Sequence, residues 1–456
     1  MNILIRADSS SVLGTGHLMR DLVLAKKYAK NSASITFASQ DLEGNLNHKI
    51  LDAGYSLEIL QSNSKKELVK LVRKLGVHLL VIDHYGINYK KEKYIKDKTD
   101  VKILSFDDTY EKHHCDVLLN HNISADEKRY ENLVPRGCKI KCGSKYTLLR
   151  EEFYVEKNKS YKKSKKVKTV FLAMGGADTA SLNIQILKVL EKFDVLKVNV
   201  VTTSANEHLP ALETYAEDKE WINLQINSTK IAKLMRKSDF AIVTPSVTLN
   251  EVFFMKIPFV AVKTADNQED MYTYLKSKNL DVLRQFDEKK LSFHIFLKVH
   301  TIKMKNFTVL TRNEKQLVFK WRNHKNIRQW MYKKDKISQN EHEDYIESLM
   351  HREDREYFLV KQNKKNIGVV DLTNMNKVKK VGELGIYTKP NTKGMGSVLM
   401  QTILKYSFLY LNLNDVKANV YVGNEAAIAL YKKFGFEIQD KKNGLYYMQL
   451  KRGEHV

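Results

Sequence analysis

"MNILIRADSSSVLGTGHLMRDLVLAKKYA", residues 1–29, passes from an apolar hexad through two glycines into a stretch with helical spacing of its apolar residues. Met1 to Arg6 predicts a short strand and Met19 to Ala29 an amphipathic helix, so one strand, one glycine turn and one helix form the first unit of a parallel sheet. The alternation continues outward. Ala33 to Ala38 predicts a second strand and Lys65 to Leu75 a lysine-rich helix, and "HLLVID" (78–83) and "VKILSFDD" (101–108) repeat the strand pattern. Such sheets bind ligands at the carboxyl ends of their strands, where Gly14, Gly16 and His17 fall.

A charge run, "EKNKSYKKSKKVK" (156–168), reads as a solvated linker or exposed edge, and after it the pattern restarts. "TVFLAMGGAD" (169–178) is a buried strand entering a Gly-Gly turn, and "VLKVNVVTT" (195–203) is another strand. "SDFAIVTPSVTLNEVFFM" (238–255) and "IPFVAVKTADNQEDMYTYL" (257–275) each read as strand, loop and helix. Two doubly wound units imply a cleft between them. From about residue 306 the character changes: "EYFLVKQNKKNIGVVDLTNMN" (356–376) is a hairpin turned at "QNKKN", "ELGIYT" (383–388) is a strand, and "GMGSVLMQTILKYSFLYL" (394–411) is a long helix. The expected class is α/β, with a pair of parallel-sheet units followed by a domain with a mixed sheet. The expected boundaries are 1–155, 156–290, a linker at 291–305, and 306–456.

The 456 residues, 43% hydrophobic and 29% charged, have the balance of a globular protein able to bury several cores. No apolar run approaches the roughly 18 residues of a membrane span, and Ile5 leads straight to Arg6, Ala7 and Asp8 without the apolar core of a signal peptide, so a cytoplasmic protein is expected. The net charge of +24 is spread lysine along the whole chain with no nucleic-acid-binding motif, which argues against nucleic acid and favours phosphorylated small molecules. Cys115, Cys138 and Cys142, with His113 and His114 nearby, match no common zinc spacing and read as packed thiols.

Gly14 and Gly16 permit a tight turn, and the helix behind them offers free N–H groups and a positive dipole end. That dipole disfavours an imidazolium, so His17 is expected neutral and able to accept a proton. Gly175 and Gly176, with Ser246 and Thr248 in the loop "TPSVTLNE" (244–251), would hold a diphosphate, and Glu251 a ribose diol. "DHYG" (83–86) and "DNQED" (266–270) lie at strand ends of the same cleft.

"DSSSVLGTGHLMRDLVLAKKYA", "VIDHYGI", "VKILSFDD", "HHCDVLLN", "CGSKYTLLREEFY" and "MGGAD", in that order over about residues 1–285, resemble the UDP-2,4-diacetamido-2,4,6-trideoxy-β-L-altropyranose hydrolases of pseudaminic acid biosynthesis. The resemblance implies a glycosyltransferase-B-like fold, no metal, and water as the acceptor. His17 falls on the family's base, and Tyr85 and Asn267 on its sugar contacts. Arg20 and Gln268, in the same motifs, are expected to bind substrate. The implied reaction is attack of water at the anomeric carbon with departure of UDP and inversion.

In the last domain, "NTKGMGSVLM" (391–400) places Lys393, Gly394 and Gly396 at a helix start whose bare backbone can embrace a pyrophosphate. "NEAAIALYKKFGF" (424–436) puts Asn424 at the next helix start and Tyr431 two turns in. The ordered pair resembles the acetyl-CoA-binding core of GNAT N-acetyltransferases, with Asn391 where that family usually has Gln or Arg. Tyr431 falls on its acid, which would protonate the departing thiolate. "KWRNHKNIRQWMY" (320–332), "ISQNEH" (337–342), "IGVVDLTNMN" and "ELGIYTKP" look like the acetyltransferases of the same pathway, which act on the 4-amino group of UDP-4-amino-4,6-dideoxy-N-acetyl-β-L-altrosamine. By motif position Arg322, His342, Thr373 and Tyr387 would contact the nucleotide-sugar. Asp371 stands where that family suggests a serine base; Glu383 is the competing candidate, and water the third.

Two other readings stay open: a glycosyltransferase fused to an acetyltransferase, and a nucleotide-sugar sensor with a protein-acetylating module. Oligomeric state is not legible in the chain.

Overall fold

The computed structural model describes residues 1–10, 16–160, 168–193 and 196–453. The chain divides into two compact units, 1–185 with 194–286, and 287–456 with 186–193.

The first unit holds two parallel sheets. Strands β1 (Asn2–Ala7), β2 (Ser34–Gln40), β3 (Ser56–Leu60), β4 (Leu79–Asp83), β5 (Lys102–Phe106), β6 (Val117–Asn120) and β7 (Lys139–Cys142) lie in the order β3-β2-β1-β4-β5-β6-β7. Apolar runs such as Ile3–Ile5 and Leu80–Ile82 are almost wholly buried, as in a sheet covered on both faces. The order reverses between β1 and β4, where Ala7 pairs with Asp83, so a crevice opens beyond their carboxyl ends. The second sheet repeats the arrangement with β8 (Lys168–Ala173), β9 (Leu196–Thr202), β10 (Ile222–Ile226), β11 (Phe240–Val243), β12 (Phe259–Val262) and β13 (Val282–Leu283), in the order β10-β9-β8-β11-β12-β13. The expected boundary at 155/156 falls inside the helix Glu151–Asn158. Its Phe153 is fully buried in one core with Phe171, Met235 and Leu249, so packing ties that helix to the second sheet. Most of the charge run, 161–167, lies outside the described residues.

The second unit carries β14 (Ile302–Asn306), β15 (Glu356–Gln362), β16 (Lys365–Asn376), β17 (Val381–Thr388), β18 (Asp415–Tyr421), β19 (Glu437–Lys442) and β20 (Leu445–Lys451), in the order β14-β15-β16-β17-β18-β20-β19. The β15–β16 hairpin turns at Asn363–Lys364, both left-handed. All pairs are antiparallel except β17–β18, whose parallel pairing covers Val381–Glu383 against Asp415–Lys417 and then stops while both strands run on. The stretch 291–305 is not a linker. It forms most of a helix, Glu288–Val299, and the edge strand β14, because Phe293, Phe296 and Leu297 recur at helical spacing and bury in the same core as Leu399 and Ile403. The long helix is α-helical over Gly396–Lys405 and becomes a π-helix at Tyr406–Tyr410.

Among the described residues no helix is long and apolar enough to cross a membrane, and no group of His, Cys, Asp and Glu is arranged to hold a metal ion. The Cys115 and Cys138 sulfurs lie 3.7 Å apart in an apolar cluster, and His113 Nδ1 is taken by Glu92 at 2.8 Å.

Candidate functional site

In the first unit, helix Gly16–Ala29 begins beside the β1–β4 crevice and carries His17 in its first turn. His17 Nδ1 lies 2.6 Å from Asp83 Oδ1, at the end of β4. Donation of Nδ1–H to that carboxylate fixes the tautomer and leaves the Nε2 lone pair as the ring's acceptor. Arg20, one turn on, forks onto the same carboxylate, with Nε and Nη2 each 2.5 Å from an oxygen. Burial pushes the Asp83 carboxyl up, but Arg20 and His17 outweigh it and hold it well below the usual range, so Asp83 stays ionised. Arg20 Nη1 also lies 3.3 Å from His121 Nε2, and burial together with Arg20 lowers His121 to about 3, leaving that ring neutral. Arg20, expected to bind substrate, also anchors Asp83. Sequence reasoning missed Asp83 as the partner of His17; its place at a strand end next to β1 was the available signal.

Tyr85, two residues beyond β4, is 61% exposed, and its ring meets His17 edge to face at 5.1 Å. Gly14 lies outside the described residues. Among the described residues, apart from its chain neighbours and its own helix, a Cβ built on Gly16 meets no atom within 4 Å. The same holds at Gly175, which is left-handed at φ +87°, whereas the Gly176 carbonyl accepts from Thr202 and Thr203.

Ser246 stands at the start of helix Val247–Phe254, sharing a hydrogen bond with the Thr244 hydroxyl at 2.9 Å, and Thr248 lies in the first turn. Glu251, one turn on, is 3.5 Å from Arg150, and burial pushes its carboxyl up to about 7. Asn267 is exposed on a short turn, while Gln268 folds back onto Thr264. Among the described residues none of these side chains bonds to the His17 cluster.

In the second unit the strands place the chemistry on one face. Tyr357, Asp371 and Gly385 are in register across β15, β16 and β17, with Thr373 opposite Glu383 and Val369 opposite Tyr387. Glu383 accepts from Asn419 (3.0 Å), Asn374 (3.1 Å) and Tyr332 (3.3 Å) at the point where β17 and β18 part. Burial and then the charge of Glu383 raise the Asp371 carboxyl to about 7. Tyr431 is 5% exposed, stands edge to face with Phe436 at 5.1 Å, and its hydroxyl has no protein partner among the described residues. Burial, then Asp371 and Glu383, push its acidity down, so it stays a proton donor.

Arg322 and Tyr387 are electrostatic neighbours of this group. Arg322 Nη2 donates to the Lys333 carbonyl at 2.7 Å, and Arg328, not anticipated from the sequence, donates to Lys334 at 2.9 Å. Arg322 Nη1, Arg328 Nε and His342 Nε2 are buried with no hydrogen-bond partner among the described residues. Buried guanidinium N–H groups left open in this way suit an anionic ligand. Gly394 is left-handed at φ +82°, a Cβ built on it meets no atom within 4 Å among the described residues beyond its chain neighbours, and Lys393 is exposed. Asn424 caps its helix by accepting from Ala427 at 3.3 Å. Unpaired backbone between β17 and β18, together with the open Gly394 turn before helix Gly396–Lys405, fits a pantetheine-linked pyrophosphate.

Comparison with known proteins finds relatives of both parts of the chain. An acetyltransferase (GNAT) domain model matches residues 307–437. The chain is similar to the UDP-2,4-diacetamido-2,4,6-trideoxy-β-L-altropyranose hydrolase of Campylobacter jejuni, 42% identical over 282 residues, covering 62% of this chain and 98% of the relative. It is also similar to the acetyltransferase PseH of Campylobacter jejuni, 42% identical over 153 residues, covering 34% of this chain and 96% of the relative. The crystal structure of Campylobacter jejuni PseH in complex with acetyl coenzyme A aligns with 39% identity and a TM-score of 0.29, covering 33% of this chain and 99% of that one.

Proposed function

We propose, from the premise that this chain belongs to the UDP-2,4-diacetamido-2,4,6-trideoxy-β-L-altropyranose hydrolase family in its N-terminal part and to the PseH-type GNAT acetyltransferases in its C-terminal part, that it performs two consecutive steps of pseudaminic acid biosynthesis. The unit of residues 1–185 with 194–286 is assigned to the hydrolase and that of 287–456 with 186–193 to the acetyltransferase. The cytoplasm, which supplies nucleotide-sugars and acetyl-CoA, is its proposed location.

The acetyltransferase acts first, on the 4-amino group of UDP-4-amino-4,6-dideoxy-N-acetyl-β-L-altrosamine. Arg322, Arg328 and His342 hold the nucleotide diphosphate, and Thr373 and Tyr387 position the sugar. Asp371 removes a proton from the ammonium, directly or through one water, with an acidity suited to that transfer near neutral pH. Acetyl-CoA, held by Lys393, Gly394 and Gly396, supplies the acyl group as a thioester. Tyr431 donates its proton to the departing sulfur as the amide forms and regains one from the nitrogen.

The hydrolase then cleaves the acetylated product. His17 Nε2 takes a proton from water, and Asp83 stabilises the resulting imidazolium through Nδ1. The water oxygen bonds to the anomeric carbon as the bond to the diphosphate breaks, with inversion. Backbone donors at Gly175 and at the start of helix Val247–Phe254 hold the developing charge, while Glu251 and Asn267 contact ribose and sugar. UDP is a good leaving group, so no acid is required. The observation that carries this reading is the His17–Asp83 pair at 2.6 Å in the β1–β4 crevice.

Two variants separate the steps. His17→Ala is expected to acetylate the UDP-amino sugar and accumulate it intact. Tyr431→Phe is expected to leave the amine unmodified while still cleaving added acetylated UDP-sugar. Normal UDP release by His17→Ala would refute the assignment.

A further inference from the structure

We propose that Asp108 decides which kind of sugar group Tyr85 recognises: by accepting a hydrogen bond from the Tyr85 hydroxyl, it leaves the tyrosine oxygen free only as an acceptor, for an N–H or O–H of the bound sugar. The inference rests on the hydrolase reading above and adds a specificity-determining residue to it.

Tyr85 is an unusual exposed side chain. With 61% of its surface in solvent it is nonetheless fixed at both ends, its ring against His17 and its hydroxyl 2.9 Å from Asp108 Oδ1. Holding an exposed tyrosine in one place costs rotamer freedom, a cost that is useful where a binding group must be ready before the ligand arrives. Asp108 lies two residues beyond β5, the strand next to β4, so the topology brings both residues to the same end of the sheet. Its second oxygen is 3.7 Å from Arg20, which is itself forked onto Asp83. His17, Asp83, Arg20, Asp108 and Tyr85 thus form a closed ring of contacts.

Hydrogen-bond polarity follows from that ring. A carboxylate beside a guanidinium has no proton to offer, so the bond must run from the Tyr85 O–H to Asp108. Desolvation of the phenol end, and then the charge of Asp108, push the phenol's acidity down, which keeps that proton in place. The only capacity left on the Tyr85 oxygen is a lone pair. Toward the sugar it therefore accepts, from an acetamido N–H or a hydroxyl, and it disfavours a carbonyl placed at the same point, since two acceptors would face each other.

A double-mutant cycle tests this on the full-length protein with the diacetamido UDP-sugar as substrate. Tyr85→Phe, which removes the acceptor oxygen, is expected to raise KM by about tenfold, the worth of one such hydrogen bond, and Asp108→Ala, which frees the ring but leaves that oxygen, by about fivefold, with kcat changed less than about threefold in both. The double variant is expected to be no worse than Tyr85→Phe alone. Asp108→Asn, whose amide oxygen can still accept, is expected within about threefold of wild type. Inhibition by UDP alone, which lacks the sugar, should be unchanged in all four, and this separates a sugar contact from general damage to the fold. Losses that multiply in the double variant, an Asp108→Ala enzyme equal to wild type, or UDP inhibition weakened in parallel would each overturn the proposal. If the wild type releases no UDP, the hydrolase reading itself fails and this inference with it.

Discussion

The carboxylate of Asp371 lies over the bare backbone of Gly385. The two residues pair across β16 and β17, and a Cβ built on Gly385 falls 2.6 and 2.7 Å from the two carboxylate oxygens. The absent side chain is what gives Asp371 room on this face of the sheet.

Gly385→Ala is accordingly expected to push Asp371 out of position. Acetylation should fall by at least about tenfold, since an ångström of misplacement at a reacting group is costly. Hydrolysis of preformed acetylated UDP-sugar should be unchanged. Two separate end-point assays on one preparation check it; equal loss of both activities would point to misfolding instead.

Acetylation should depend on pH through Asp371. Its carboxyl, raised from 3.8 to about 7 by burial and by Glu383, accepts a proton only when ionised, so kcat/KM should rise with pH through about 7 and then level. Glu383, Arg355, Tyr357, Tyr387 and Tyr431 face or influence this group, and the tyrosines titrate far above that range. The stability sign is opposite to that of a salt-bridged carboxylate. The unfolded chain ionises near 3.8 and the folded one near 7, so raising the pH between these values destabilises the fold. Asp371→Asn should abolish the rising limb of activity and melt progressively higher than wild type as pH climbs from about 4 to about 8.

Asp83→Asn keeps the shape of the side chain but removes the charge shared by His17 and Arg20. UDP release should drop by about 10² to 10⁴ in kcat, the scale seen when the orienting carboxylate of a histidine base is neutralised. KM should move little. Steady-state kinetics on acetylated substrate read both, and acetylation by the same variant serves as the internal control.

Asn250 joins the two sheets of the first unit. It is 1% exposed, accepts from the Ile123 N–H at 3.1 Å and donates to Asn122 at 3.1 Å. Asn250→Ala leaves a buried backbone donor unmet and should cost about 1–3 kcal/mol, read as a lower denaturant midpoint.

Much of this is legible in the chain because each strand and helix of the first unit is written in local periodicity. Leu79–Asp83 and Phe240–Val243 are apolar runs of strand length, and their parallel pairing follows from the helices between them. His17 and Gly394 are visible as residues beside glycine turns at helix starts, and Tyr431 through the motif "NEAAIALYKKFGF". What stays hidden depends on contacts distant in sequence. The partner of His17 is 66 positions away, Arg328 is defined by the buried N–H it leaves open, and Gly385 matters only through Asp371 across the sheet. The helix Glu288–Val299 reads as linker in the sequence because its lysines obscure the apolar stripe of Phe293, Phe296 and Leu297.

One incubation reads both activities of the chain together. The purified full-length protein is given UDP-4-amino-4,6-dideoxy-N-acetyl-β-L-altrosamine with and without acetyl-CoA, and phosphorus NMR and mass spectrometry follow the products. UDP and free 2,4-diacetamido-2,4,6-trideoxy-L-altrose are expected only when acetyl-CoA is present. Acetylated nucleotide-sugar that accumulates with no release of UDP from the wild-type protein would contradict it.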